Sequence, residues 1–255
     1  MDQPVSFSAD PKIKELKTTS PAVLAKGRRG GLQMEIRTVF HKKLREIQDD
    51  ILAMGSMVEK AISRSIEALK KRDIAMAQQV IADDLKINEK RFDIEEKCIQ
   101  LIATQQPMAS DLRIIVCVLN IITELERIGD YAEGIAKIVV MIGDEPPLKP
   151  LIDLPRMAEK TEEMLGRSLD AFIKRDAEAA RKISDEDDEV DNLYDQVFRE
   201  LLTFMAEDPK TITRATRLIW VAHNLERSAD RVTNICERVV FVVTGKMEEI
   251  GASKY

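Results

Sequence analysis

Aromatic residues make up only 4% of this 255-residue sequence, which also holds just ten glycines, nine prolines and three cysteines. Strands favour aromatic and β-branched residues, so their scarcity argues against an all-β fold. Cys98, Cys117 and Cys236 form no CxxC pair, and so sparse a set in a chain of this length fits a reducing compartment better than a disulfide scaffold. The sequence therefore predicts a cytoplasmic protein whose thiols help to fill the core.

Long apolar runs and basic patches are also missing. The longest strongly apolar run, residues 114–123, spans ten residues, whereas a membrane helix needs roughly 20. The net charge is −6 and no basic patch lies beyond the first thirty residues, which argues against binding to nucleic acid or to an anionic membrane. Because no Walker A loop, GxSxG elbow, HExxH or dinucleotide fingerprint is present, the common catalytic classes are not indicated.

Proline positions and apolar periodicity predict where helices begin and end. Between the prolines, apolar residues recur at intervals of three and four, the pattern of amphipathic helices. This predicts six long helices over residues 36–71, 74–104, 110–141, 155–174, 177–206 and 210–243. Residues 1–33 carry three prolines and a basic cluster, and we expect a disordered extension there.

The two halves of the predicted helical region resemble each other. Six of ten residues are identical between 64–73 and 167–176, and the segment 125–130 matches 225–230. A tandem duplication explains both matches. The sequence therefore predicts an all-α fold of two pseudo-symmetric three-helix bundles, over residues 34–145 and 154–245, joined by a proline-rich link.

Acidic residues four apart recur in both repeats, although like charges at this spacing oppose helix formation. On two helices per repeat they form a set of oxygen donors that suits Mg²⁺, Mn²⁺ or iron, and zinc less well. The bland alternative is that Arg127, Arg227 and Arg231 neutralise these carboxylates in surface ion pairs. The candidate metal ligands are Asp84, Asn88, Glu126 and Asp130 in the first repeat, and Asp187, Asp191, Glu226 and Asp230 in the second.

At these residues the chain resembles the PhoU family of phosphate-responsive regulators. The resemblance rests on the segments 39–44 and 54–58 and on the paired signatures 126–132 and 226–232, and it covers residues 34 to about 245. Asn88 departs from the acidic pattern, and Gly134 stands where the second repeat has Asn234. The second site therefore matches the pattern better than the first.

The resemblance implies multinuclear iron or zinc sites at the motifs above and a non-enzymatic role. It implies an adaptor that links the ATP-binding subunit of the phosphate ABC transporter to the sensor histidine kinase and restrains both when phosphate is abundant. Such a protein would reach the membrane only through its partners, and we expect it to form a homodimer.

Two other interpretations remain open at this point. The acidic pairs also resemble those of a carboxylate-bridged metal enzyme of the ferritin type, although neither His41 nor His223 stands in the Glu-x-x-His order of such proteins. The long apolar stripes would also suit a purely structural dimerisation module.

Overall fold

The computed structural model describes the backbone of residues 21–250 and the side chains of residues 38–250. Nearly all of these residues are helical and none forms a strand, which confirms the predicted all-α fold. Residues 1–20 of the predicted extension lie outside the described residues, and the first helix begins at Pro21 rather than at residue 36. The helices are α1 (Pro21–Lys71), α2 (Ile74–Gln105), α3 (Ala109–Ile142), α4 (Asp153–Lys174), α5 (Ala177–Asp185), α6 (Asp187–Glu207) and α7 (Ile212–Thr244).

The chain divides into two units, residues 1–42 and residues 43–255. In the first unit, the ring of His41 contacts Phe40 edge-on, with 5.5 Å between the ring centroids. The second unit holds residues 43–71 of α1 and all the other helices. Within residues 38–250, no helix is both long enough and apolar enough to span a bilayer.

Two three-helix bundles make up the second unit, as the sequence predicts. The first contains residues 43–71 of α1 with α2 and α3, and the second contains α4, the α5–α6 pair and α7. The bundles pack against each other through α3 and α7, and through Gly55 of α1 and Leu169 of α4. Each bundle buries apolar side chains between its own helices, and the contacts just described join the two repeats.

The same turn joins the first two helices of each repeat. Arg72 and Arg175 adopt left-handed backbone angles, with φ of 57° and 55°. The next residue caps the following helix: Asp73 Oδ1 accepts from the amide of Met76, and Asp176 Oδ1 accepts from the amide of Ala179, each at 2.9 Å. Aspartate is a favoured N-cap residue, and the matching cap in the second half agrees with a duplication.

The predicted helix over residues 177–206 is interrupted, and in this respect the prediction is wrong. The structure has α5 and α6 on either side of Glu186. The carboxylate of Glu186 accepts hydrogen bonds from Arg167 and Lys160 of α4, at 2.8 and 2.7 Å. The break thus falls at Glu186, whose carboxylate is bound by two side chains of α4, directly before the candidate ligand Asp187.

The link between the bundles is anchored to the second one. Residues 143–152 lie outside the helices and carry Pro146, Pro147 and Pro150. The side chain of Lys149 is buried and pairs with the carboxylate of Glu200 on α6. This ion pair fastens the proline-rich segment to α6.

Candidate metal centres

The first candidate centre lies between α2 and α3. Asp84 and Asn88 are one turn apart on α2, and the Asn88 amide donates to Asp84 Oδ2 at 3.0 Å. Opposite them on α3, Gly129 lies between Glu126 and Asp130 in the sequence. A Cβ atom at residue 129 would lie 3.4 Å from Asp84 Oδ1. The Asp84 carboxylate therefore lies directly beside the backbone of α3.

Burial and neighbouring charge both act on the first centre. Desolvation raises the pKa of Asp84 to about 6, and the negative charges of Glu133, Asp130 and Glu126 add to the increase. Burial likewise raises the pKa of Asp130, with a further contribution from Glu133. Carboxylates so placed favour either a proton or a cation.

Glu133 is the residue of this centre that the sequence motif does not include. Its charge raises the Asp84 pKa more than that of Glu126 or Asp130 does. Its carboxylate forms an ion pair with Lys137 at 2.6 Å. Glu133 stands seven residues after Glu126 and therefore lies on the same helix face. This spacing is visible in the sequence. The second repeat has Thr233 at the matching position, so a search for repeated motifs misses it.

The second candidate centre lies between the beginning of α6 and the middle of α7. Asp187 opens α6 and is only 9% exposed. Desolvation raises its pKa to about 7, and the charges of Asp191, Asp230 and Glu226 contribute in that order. The structure therefore brings all four predicted residues of the second repeat into electrostatic range of one another.

Glu226 and Asp230 occupy neighbouring turns of α7. Burial raises the pKa of Glu226 to about 7, with a contribution from the Asp230 charge and an opposing one from Arg227. Asp230 has a pKa raised by burial, although it accepts a hydrogen bond from Arg227 at 2.7 Å. His223 Nδ1 lies 3.4 Å from Glu226 Oε2 without hydrogen-bond geometry. Burial lowers the pKa of this histidine, so it is neutral near pH 7.

Arginine pairing accounts for only part of the acidic groups. Arg227 pairs with Asp230 as the alternative interpretation expects, but Arg231 contacts Glu124 of α3 instead, at 3.5 Å. Oε1 of Glu126 lies 3.6 Å from the guanidinium of Arg91 on α2, and the sequence did not indicate this ion pair.

Three carboxylate oxygens in the two centres are buried without a hydrogen-bond partner: Asp84 Oδ1, Asp187 Oδ1 and Glu226 Oε2. Buried polar atoms are nearly always satisfied, and oxygen donors of this kind suit a hard cation. The donor chemistry therefore fits a metal ion. Among residues 38–250, however, no three His, Cys, Asp or Glu side chains converge closely enough to hold one ion together. Side-chain rotation would be needed to complete either centre.

The cysteines are not part of either centre. Cys98, Cys117 and Cys236 are free thiols buried in the cores, which confirms their predicted role as core residues. Burial raises their pKa values to about 12, about 11 and about 12. They are therefore protonated and unreactive near pH 7.

Comparison with known proteins places both bundles within one family of sequences. The PhoU domain model matches residues 51–139 and 154–239, one match in each bundle. The phosphate-specific transport system accessory protein PhoU homolog of Clostridium acetobutylicum is 40% identical, over 84% of this chain and 98% of its own. The accessory protein PhoU of Escherichia coli K12 is 36% identical, over 84% of this chain and 89% of its own.

Two solved structures share this arrangement of helices. The crystal structure of PhoU from Pseudomonas aeruginosa has a TM-score of 0.77 and 36% identity, and it covers 81% of this chain and 100% of its own. The phosphate transport system regulatory protein PhoU from Streptococcus pneumoniae has a TM-score of 0.78 and 31% identity, over 83% of this chain and 100% of its own.

Proposed function

Because the chain belongs to the PhoU family, we propose that it is a cytoplasmic accessory protein that restrains phosphate uptake and the phosphate-starvation response when phosphate is abundant. The observation that carries this proposal is the match of both bundles to relatives named as accessory proteins of phosphate-specific transport, over nearly their whole length. Its partners would be the ATP-binding subunit of the phosphate ABC transporter and the phosphate-sensing histidine kinase. Its function would be binding rather than catalysis.

We further propose that the two acidic centres bind divalent cations, with iron, zinc, Mg²⁺ and Mn²⁺ as candidates. Asp84, Asn88, Glu126 and Asp130 would hold one centre, and Asp187, Asp191, Glu226 and Asp230 the other. Buried unpartnered oxygens in both centres support this. A bound cation would neutralise the carboxylates and cross-link two helices of a bundle. The rigidity of each bundle would then depend on whether a cation is bound.

Deletion of the gene tests the regulatory role. We expect the deletion strain to express alkaline phosphatase constitutively in phosphate-rich medium, and the wild-type gene to restore repression. Normal repression in the deletion strain would contradict the proposed function. A purified protein that forms a dimer but binds neither the kinase nor the transporter ATPase in a pull-down would instead favour a structural dimerisation module.

Replacement of Asp187, Asp191, Glu226 and Asp230 by alanine tests the second centre directly. We expect the purified variant to contain less metal by elemental analysis than the wild-type protein. Equal metal content in the two proteins would rule out this centre as the site of binding, whatever the outcome of the deletion experiment.

A further inference from the structure

The outward face of α2 carries a row of exposed apolar side chains. Leu85, Phe92 and Ile99 are 64%, 60% and 57% exposed. They stand seven residues apart, so they follow one line along the helix. Arg91 covers part of the row, with its guanidinium carbon 5.3 Å from the centroid of the Phe92 ring.

A second line of exposed residues completes the pattern of a helix-pairing face. Ala82, Glu89, Glu96 and Ala103 are all exposed, and each stands three residues before or four after a member of the apolar row. Alternating intervals of three and four define the contact seam of paired helices. Residues 82–103 span about 30 Å, which is a length that several turns of a second helix could cover.

The duplicated repeat shows that the bundle does not need this apolar row. At an offset of 103 residues, Leu85 and Phe92 correspond to Asp188 and Asp195 of the second repeat. Buried positions are instead apolar in both repeats: Val80, Ile87 and Ile94 correspond to Ile183, Val190 and Val197. The first repeat thus keeps an exposed apolar row in a fold that also forms with aspartate at two of its positions.

The charges on this face indicate what would cover it. Glu96 accepts only the side-chain amide of Gln100, at 3.1 Å, and among the described residues neither Glu89 nor Glu96 has a cationic partner. Neighbouring carboxylates of α2 are paired, since Asp83 contacts Lys86 and Asp93 contacts Lys97. A partner with positive charges opposite Glu89 and Glu96 would complement them, whereas a second copy of this face would bring like charges together.

We propose that this face of α2, defined by Leu85, Glu89, Phe92, Glu96 and Ile99, is a docking surface for a basic amphipathic helix of a partner protein. The partner helix would carry apolar side chains at heptad spacing and lysine or arginine opposite the two glutamates. The proposal rests on the adaptor function above, because it identifies the surface through which that adaptor would hold a client.

A synthetic helical peptide tests the docking surface. The probe has leucine at each apolar heptad position and lysine beside that seam, and an otherwise identical peptide has glutamate in place of lysine. We expect the full-length protein to bind the basic peptide in fluorescence anisotropy, and Phe92→Asp to weaken binding at least about tenfold. Leu202→Asp is the matched control, because Leu202 is exposed at the position in α6 that corresponds to Ile99. This control should leave the affinity unchanged.

Charge reversal tests the acidic half of the surface. The wild-type protein should bind the basic peptide more tightly than the acidic one. The double variant Glu89→Lys and Glu96→Lys should instead bind the acidic peptide more tightly. Circular dichroism should show unchanged helix content, since these side chains and Phe92 are exposed. Equal binding by the wild-type protein and the Phe92→Asp variant would overturn the proposal. So would self-association, measured by sedimentation, that Phe92→Asp abolishes, since a second copy would then be the occupant.

Complementation separates this inference from the proposed function. If the surface holds a client of the adaptor, the Phe92→Asp gene should fail to restore phosphatase repression in the deletion strain, whereas the Leu202→Asp gene should restore it. Full repression by Phe92→Asp would overturn the surface while leaving the regulatory role intact. Normal repression in the deletion strain itself would instead contradict the regulatory role.

Discussion

Gly55 of α1 packs directly against the side chain of Leu169 of α4, so that a Cβ atom at residue 55 would overlap Leu169 Cδ1. Leu169 is buried, with only 2% of its surface exposed. This contact belongs to the interface between the two repeats, where the missing side chain of Gly55 accommodates a large apolar neighbour.

Gly55→Ala should therefore destabilise the protein even though alanine favours helix formation. Overpacking a buried position costs roughly 1 to 3 kcal/mol, and the overlap with Leu169 Cδ1 should make this cost larger than the gain of about 1 kcal/mol in helix propensity. We expect a lower free energy of unfolding in urea. Gly166→Ala on α4 is the matched control, because its Cβ would meet only the carboxylate end of Glu59. This carboxylate is the end of a flexible side chain and can move aside, so Gly166→Ala should be neutral or stabilising. A Gly55→Ala protein as stable as the wild type would show that the Leu169 side chain also moves aside easily.

Glu162→Gln should make the stability of the protein less dependent on pH. Burial raises the pKa of Glu162 from 4.5 to about 7, and the charges of Glu59 and Glu159 contribute. The folded state then binds a proton more tightly than the unfolded state does, so the contribution of Glu162 to stability is lost as the pH rises from about 4.5 to about 7. Because Glu162 is only partly buried, solvent screening reduces the effect to about 1 kcal/mol.

Urea unfolding at pH 5 and pH 8 measures this difference. Glu162→Gln and the wild-type protein should be equally stable at pH 5, and the variant should be the more stable at pH 8. Glu89→Gln removes an exposed carboxylate without a cationic partner and should change stability at neither pH. An equal gain at both pH values for Glu162→Gln would show that the effect is not due to ionisation.

Asp187→Asn should have opposite effects on the metal-free and the metal-loaded protein. Without metal at pH 8, where Asp187 is mostly ionised, loss of a buried charge among like charges should stabilise the fold by roughly 1 to 2 kcal/mol. With Mn²⁺ at 100 times the Kd of each centre, the wild-type protein should gain about 2.7 kcal/mol per centre, and the variant should lose the gain of the second centre. Thermal unfolding with and without Mn²⁺ measures both effects. Asp185→Asn, an exposed change two residues away, should keep the full response to Mn²⁺, and an equal response from Asp187→Asn would exclude Asp187 as a ligand.

Asp73→Ala and Asp176→Ala should each lower the free energy of unfolding by about 1 kcal/mol, because each removes a side-chain cap. The two caps belong to different bundles, so the losses should add in the double variant. Asparagine also caps helices, and Asp73→Asn and Asp176→Asn should cost little. If asparagine is as damaging as alanine at either position, the charge rather than the hydrogen bond is responsible.

Much of the fold follows from the sequence because its signals are local. Helix periodicity, the proline breaks and the cap at Asp73 depend on residues within a few turns of one another. The interruption at Glu186 was not predictable in this way, since it coincides with contacts from Arg167 and Lys160 on a different helix. Likewise, the repeated spacing identified Asp187 and Glu226, but it gave no sign that Arg231 would turn away to Glu124.

The sequence by itself determined the all-helical character, the duplication and the acidic positions that each repeat presents. Only the tertiary structure decided which of these carboxylates are buried without a partner, that Glu133 joins the first centre, and that Glu162 lies near Glu59. Burial and the proximity of distant charges depend on how separate helices pack, and no interval along the chain encodes that distance. For the same reason, the tertiary structure was needed to show that the apolar row of α2 remains exposed.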